Sequence, residues 1–184
     1  VINSKYLSQF TEVKKFEEEF ANYVGLTKEN SVAVSNGTSA IYIALKILNS
    51  RYKEIIFPAY SCSSLMHAAR LSGSKVILCD NKKNSHNMDV NFKEKNKIII
   101  YPQMFGYPSV LNKNSKSNLI EDACQSLGAQ VNGRAVGLQG KVGIFSFYAT
   151  KLITTAGQGG MMISKDKSLI REIKDFINFD NRKH

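Results

Sequence analysis

The 184-residue sequence predicts a layered α/β domain with a mostly parallel sheet, and two observations carry that expectation. Its strand-like segments are unbroken apolar runs, Ile55-Ile56-Phe57, Val76-Ile77-Leu78 and Ile98-Ile99-Ile100, rather than apolar–polar alternations. Runs of this kind are buried on both faces, as in parallel sheets covered by helices. Between them lie amphipathic segments that serve as the crossovers parallel strands require.

The elements follow in order. Thr11–Val24 reads as a helix, because Val13, Phe16, Phe20 and Val24 recur at helical spacing while Glu17–Glu19 face water. Gly25 supplies its left-handed stop. Ser31–Val34 is a short strand, Ser35-Asn36-Gly37 a turn and Thr38–Leu48 a second helix. Glu54–Phe57 is a strand closed by Pro58, Ser63–Leu71 a helix stopped by Gly73, and Lys75–Cys79 a strand. Further strands are expected at Lys97–Tyr101, Asn118–Glu121, Val142–Tyr148 and Gly160–Ser164, and a closing amphipathic helix at Lys167–Ile177. The polar stretch Asn81–Asn96 breaks the rhythm and reads as a surface excursion with a short helix before Lys97.

Composition bounds the function. With 43% hydrophobic and 22% charged residues, the chain has the make-up of a soluble globular domain with its own core. No apolar run approaches the roughly 20 residues of a membrane span, and Val1–Lys5 lacks the pattern of a secretion signal. The net charge of +10 is spread over many lysines, with no aromatic-interleaved basic stripe and no zinc-finger spacing. Nucleic acid is therefore not an expected partner, although a positive field would help draw in phosphorylated ligands. Cys62, Cys79 and Cys124 are odd in number and far apart, which gives neither a disulfide framework nor a metal site and points to a reducing cytoplasm. His67, His86 and His184 show no metal or triad spacing.

Four segments sit where strands hand over to loops, the places where open α/β sheets collect ligands. Ser35-Asn36-Gly37-Thr38-Ser39 precedes a helix, so its glycine, hydroxyls and free N–H groups could cradle an anion; the same residues serve equally as a helix cap. Glu121-Asp122 ends an apolar strand, where a buried acid needs a cation, a protonated ligand nitrogen or a capping role. Phe145–Lys151 carries a strand into a Thr-Lys pair. A lysine delivered into an enclosed site loses solvation and becomes nucleophilic, whereas a lysine at a strand end can also simply snorkel to water. Pro58-Ala59-Tyr60 stops a strand and places an aromatic that, read alone, belongs to the core.

Taken together and in order, these segments resemble the DegT/DnrJ/StrS family of nucleotide-sugar aminotransferases dependent on pyridoxal 5′-phosphate (PLP). The resemblance runs through Phe16–Ala21, Val32–Ala40, Ile55–Tyr60, Tyr101–Pro108, Glu121–Ala129 and Phe145–Lys151. It implies a three-layer α/β/α large domain of fold type I over residues 1–184, with a C-terminal small domain absent. Lys151 would hold the cofactor as an imine and move protons during transfer. Asp122 would pair with the protonated ring nitrogen, and Gln125 would bond the ring's 3-oxygen. Gly37, Thr38 and Ser146 would hold the phosphate, and Tyr60 would line the ring; no metal is implied. The substrates implied are a nucleotide-linked keto-sugar and an amino-acid donor, glutamate by family habit, in amino-sugar and polysaccharide biosynthesis by a homodimer.

Two positions depart from the family pattern. Cys62 stands where an aromatic usually stacks on the ring, and Ala149 replaces the proline before Thr150. The chain is also about half the family's length, which implies a fragment or a complementing C-terminal chain. Two alternatives follow: a truncated, inactive relative acting as regulator or dimer partner, and a PLP-dependent sugar dehydratase. Lys151 argues against the dehydratase, because dehydratases of the family carry histidine there.

Overall fold

The computed structural model describes residues 11–48, 54–89, 97–111 and 119–177. The elements run α1 (Thr11–Tyr23), β1 (Ser31–Val34), α2 (Gly37–Leu48), β2 (Glu54–Pro58), α3 (Ser63–Ser72) and β3 (Lys75–Cys79). They continue with β4 (Lys97–Pro102), β5 (Leu119–Asp122), β6 (Gln130–Val131), β7 (Arg134–Ala135), β8 (Val142–Ser146), β9 (Gly160–Ile163) and α4 (Lys167–Ile177). Among the described residues, seven strands form one sheet in the order β1-β9-β8-β5-β4-β2-β3. The pairs β2–β3, β2–β4, β4–β5 and β5–β8 are parallel. β9 is the exception, running antiparallel to both β8 and β1.

Strand residues alternate between two faces of the sheet. Ile55, Phe57, Ile98, Ile100, Ile120 and Ile144 share a core with Ala40, Ala44, Leu65 and Ile170, so α2, α3 and α4 cover that face. On the other face, Phe145, Met161 and Ile163 pack against Phe20 and Val24. Phe20 of α1 lies edge-on to Phe145 at 5.0 Å and to Phe147 at 5.5 Å. Farther along that face, Ile56, Ile99, Tyr101 and Leu119 are covered by Met88 and Leu111. The expected α/β/α layering is present, with loops completing the second helical layer.

The structure corrects several expectations. Val76-Ile77-Leu78 is not buried on both faces, because β3 is an edge strand with one neighbour, and Leu78 is 50% exposed. Glu17 does not face water: its Oε1 accepts the Ala33 N–H of edge strand β1 at 2.8 Å, and its Oε2 meets Lys174 Nζ at 3.5 Å. The stretch after β3 is no simple surface excursion, since Asn81 bridges Met88 and both Asn87 and Met88 are buried. Its expected short helix lies outside the described residues, as does Asn118.

The strand expected through Tyr148 ends at Ser146, because the chain then folds into a tight loop. There Phe147 N–H donates to Gly159 O at 2.8 Å and Ala149 N–H to Gly157 O at 3.1 Å. The β6–β7 hairpin carries no apolar run in the sequence. Its Asn132-Gly133 turn, φ 51° and 72°, is the sequence signal that would have found it.

Candidate active site

The parallel strands β2, β4, β5 and β8 end on the same edge of the sheet, where the loops that follow them and the first turn of α2 enclose a cavity of about 430 Å³. Gly37, Thr38, Asp122, Gln125, Ser146 and Lys151 all line it. Six of the seven expected site residues thus converge from three separate stretches of sequence. Tyr60 does not: it is 58% exposed, outside the cavity wall, with its ring 6.5 Å from that of Phe105. Nor is Tyr60 the core residue that its aromatic character suggests. Cys62, two residues on, occupies the wall instead.

The α2 terminus is built for close approach. Asn36, not a serine or threonine, caps the helix, with its Oδ1 accepting the Ser39 N–H at 2.8 Å. The first two residues of the helix, Gly37 and Thr38, are left on the cavity wall. A side-chain carbon on Gly37 would stand 3.0 Å from Cys124 Sγ and 3.2 Å from Ser146 Cβ, so only glycine leaves this corner open. A helix N-terminus flanked by the hydroxyls of Thr38 and Ser146 is a fitting seat for a phosphate.

Across the cavity the electrostatics are set by a buried acid. Burial pushes the Asp122 carboxyl above its ordinary range, and bonds from Cys124 and the charge of Lys151 only partly reverse this. Its Oδ1 accepts the Cys124 N–H at 3.1 Å. The Cys124 thiol is pushed well above its usual value by burial first and by Asp122 second, so it is neutral and a donor in character. An acid held in this way is stabilised by a protonated nitrogen, which is what a pyridinium ring would offer. Lys151 is half-buried, anchored by its N–H to Tyr148 O at 2.9 Å.

Gln125 is oriented by a neighbour, since its Oε1 accepts the Phe105 N–H at 3.3 Å. Gln103 and Met104, at the end of β4, also line the cavity; the sequence pointed to that segment only through its resemblance. Among the described residues, no group of three or more His, Cys, Asp or Glu side chains could hold a metal, and no helix is long and apolar enough to cross a membrane. A larger groove of about 610 Å³ runs between α1 and α4. It lies away from the strand ends, and its Glu17 and Lys174 pair with each other.

A lysine, a buried aspartate and a helix N-terminus surround one cavity on a mostly parallel sheet, and that sheet has the fold of PLP-dependent aminotransferases. The chain belongs to the DegT/DnrJ/EryC1/StrS aminotransferase family, whose model matches residues 1–183. It is 33% identical over 171 residues to a GDP-perosamine synthase of Escherichia coli O157:H7, covering 85% of this chain and 46% of that protein. It is 30% identical to a GDP-4-keto-6-deoxy-D-mannose 3-dehydratase of Yersinia pseudotuberculosis, covering 92% of this chain and 47% of that protein. The fold also matches Helicobacter pylori PseC, an aminotransferase involved in pseudoaminic acid biosynthesis, with a TM-score of 0.84 and 26% identity, covering 100% of this chain and 52% of that one. The chain spans about half the length of the curated relatives it matches.

Proposed function

We propose that residues 1–184 form the cofactor-binding part of a nucleotide-sugar aminotransferase, and that Lys151, Asp122, Gln125, Gly37, Thr38 and Ser146 hold PLP. The observation that carries this reading is the convergence of Lys151 and buried Asp122 on one cavity closed by the α2 N-terminus. Bound there, PLP would supply an electron sink for moving an amino group from an amino acid, glutamate by family habit, to a keto-sugar. Each residue has a distinct part. The α2 terminus, Thr38 and Ser146 bind the phosphate dianion. Asp122 holds a proton on the ring nitrogen, Gln125 donates to the ring oxygen, and the Lys151 amine shuttles the proton that transfer requires.

The exposed apolar side chains Tyr60, Phe105, Tyr107 and Leu152 support a covering partner surface, which we assign to a homodimer or a complementing C-terminal chain. Free cysteines support a cytoplasmic protein. A dehydratase is the second reading, favoured by the Yersinia relative.

In the full-length protein, borohydride reduction is expected to leave a pyridoxyl mass tag on the peptide containing Lys151, with none in Lys151→Ala. A tag on another lysine would sink the assignment. Product analysis with a nucleotide-linked keto-sugar and glutamate separates the two reactions: an amino-sugar supports transfer, a deoxy-sugar the dehydratase.

A further inference from the structure

Glu121 and Asp122 are neighbours on β5, so their side chains leave opposite faces of the sheet. Asp122 enters the cavity. Glu121, 0% exposed, points to the other side, where both its oxygens accept hydrogen bonds. Its Oε1 takes Gln103 Nε2 at 2.9 Å and Gln139 Nε2 at 3.3 Å, while its Oε2 takes the Gln139 N–H at 2.9 Å. A carboxylate accepts only, whereas a glutamine amide must present its nitrogen to one side and its oxygen to the other. Glu121 therefore dictates how both glutamines are turned.

The consequence reaches the loop after β4. With their nitrogens committed, Gln103 Oε1 accepts the Ser109 N–H at 2.9 Å and Gln139 Oε1 accepts the Leu111 N–H at 2.9 Å. Gln139 Nε2 also donates to Ser109 O at 2.9 Å. At its start the loop is tied by Gln103 N–H to Asp122 O at 2.9 Å and by Met104 N–H to Asn87 Oδ1 at 3.4 Å. Between these ties lies Phe105, in the left-handed region at φ 54° and ψ 26°. A non-glycine residue stays there only when its surroundings over-determine it. In that conformation its N–H reaches Gln125 Oε1 at 3.3 Å. With its oxygen so occupied, Gln125 has its Nε2 left to donate into the cavity.

We propose that Glu121 is a positioning residue: through Gln103 and Gln139 it holds the loop over 103–111 so that Phe105 fixes Gln125 as a hydrogen-bond donor to the cofactor ring. This rests on the reading that the cavity holds PLP. It adds a group on the far side of the sheet that never touches the cofactor.

The test uses the full-length protein with Glu121→Gln, Gln125→Met and the double variant, reading the PLP dissociation constant and the pH midpoint of its visible absorbance. Glu121→Gln puts an N–H group where an acceptor is needed, so it should weaken PLP binding about tenfold and move the midpoint. In the Gln125→Met background the same change should alter binding by less than about twofold, because the effect travels through Gln125. Equal effects in both backgrounds, or none in either, would overturn the proposal. Should Glu121→Gln fail to fold, Gln139→Met decides on the same comparison, as it leaves Glu121 its bond from Gln103. Wild-type protein that binds PLP no better than Lys151→Ala would overturn the parent reading and this one together, an outcome visible before any Glu121 variant is made.

Discussion

Cys124 Sγ stands 3.0 Å from the point where a side chain on Gly37 would begin, and Ser146 Cβ stands 3.2 Å from it. The cavity corner at the start of α2 is thus closed to any larger residue. Gly37→Ala crowds this corner, an overpacking of about 1–3 kcal/mol, while alanine improves the helix by about 1 kcal/mol. The expected result is a PLP dissociation constant raised by at least about tenfold with a small change in unfolding temperature. Equilibrium dialysis beside thermal unfolding checks this; tight binding retained would show that the corner is not the phosphate seat.

Asp122 yields a pH-dependent prediction. Its folded value is raised from 3.8, mainly by burial. In the cofactor-free protein, the folded state then binds more protons than the unfolded state across the window above 3.8. The Asp122 contribution is therefore fully present below 3.8 and lost as pH rises through the folded value. Asp122→Asn should flatten the stability curve in that window, as read by urea unfolding at a series of pH values. On the proposed role of Asp122, the same substitution should lower turnover of the PLP-loaded protein by at least about a hundredfold, since it removes the charge that would face the ring.

Glu17 ties three elements together. It caps the edge of β1 at Ala33 N–H and meets Lys174 of α4 from its place on α1. Glu17→Ala should cost about 1–2 kcal/mol, because a strand N–H loses its acceptor. Lys174→Ala removes only a partly exposed ion pair and should cost less than about 1 kcal/mol. Denaturant unfolding of the two variants should rank them in that order; the reverse ranking would show that the ion pair, not the strand cap, is the main contribution.

Asp166 caps α4, with its Oδ1 accepting the N–H groups of Ser168 at 2.9 Å and Leu169 at 3.3 Å. The Ser168 side-chain bond is the main reason that its carboxyl lies below the ordinary 3.8. A depressed acid stabilises the fold above its unfolded value, and that contribution is lost as pH falls through the folded value. Asp166→Ala should cost about 1 kcal/mol at neutral pH, a difference that shrinks as the wild type is acidified below 3.8. A difference unchanged by acid would mean that the cap acts without its charge.

Much of this was legible in the sequence, for identifiable reasons. The apolar runs Ile55–Phe57 and Ile98–Ile100 announced strands because central parallel strands bury every residue. Val76–Leu78 looked the same yet lies at an edge, since a run of apolar residues does not reveal how many neighbours a strand has. Glu17 looked like a solvent-facing helix residue because helical spacing shows which residues share a face, but not that a strand edge lies beside one of them. Lys151, Asp122 and Gly37 stand out as a candidate site only as an ordered set; each alone has an ordinary explanation. Tyr60 and Cys62 show the limit, since which of two loop residues turns inward depends on backbone angles that no spacing rule supplies. Glu121 shows another: of two adjacent acids, only the pleat sends Asp122 into the cavity and Glu121 to the glutamines on the opposite face.

The insertion of β9 between β1 and β8 has a consequence for how the domain comes to exist. Gly160 of β9 sits so close to the first turn that a side-chain carbon on it would stand 2.8 Å from the carbonyl carbon of Asn36. Residues 31–34 can find their sheet partners only once residues 160–163 have left the ribosome. The turn between β1 and α2 is thus synthesised long before the strand that pairs with β1. A long loop must close before that contact forms, and closures of this kind slow folding.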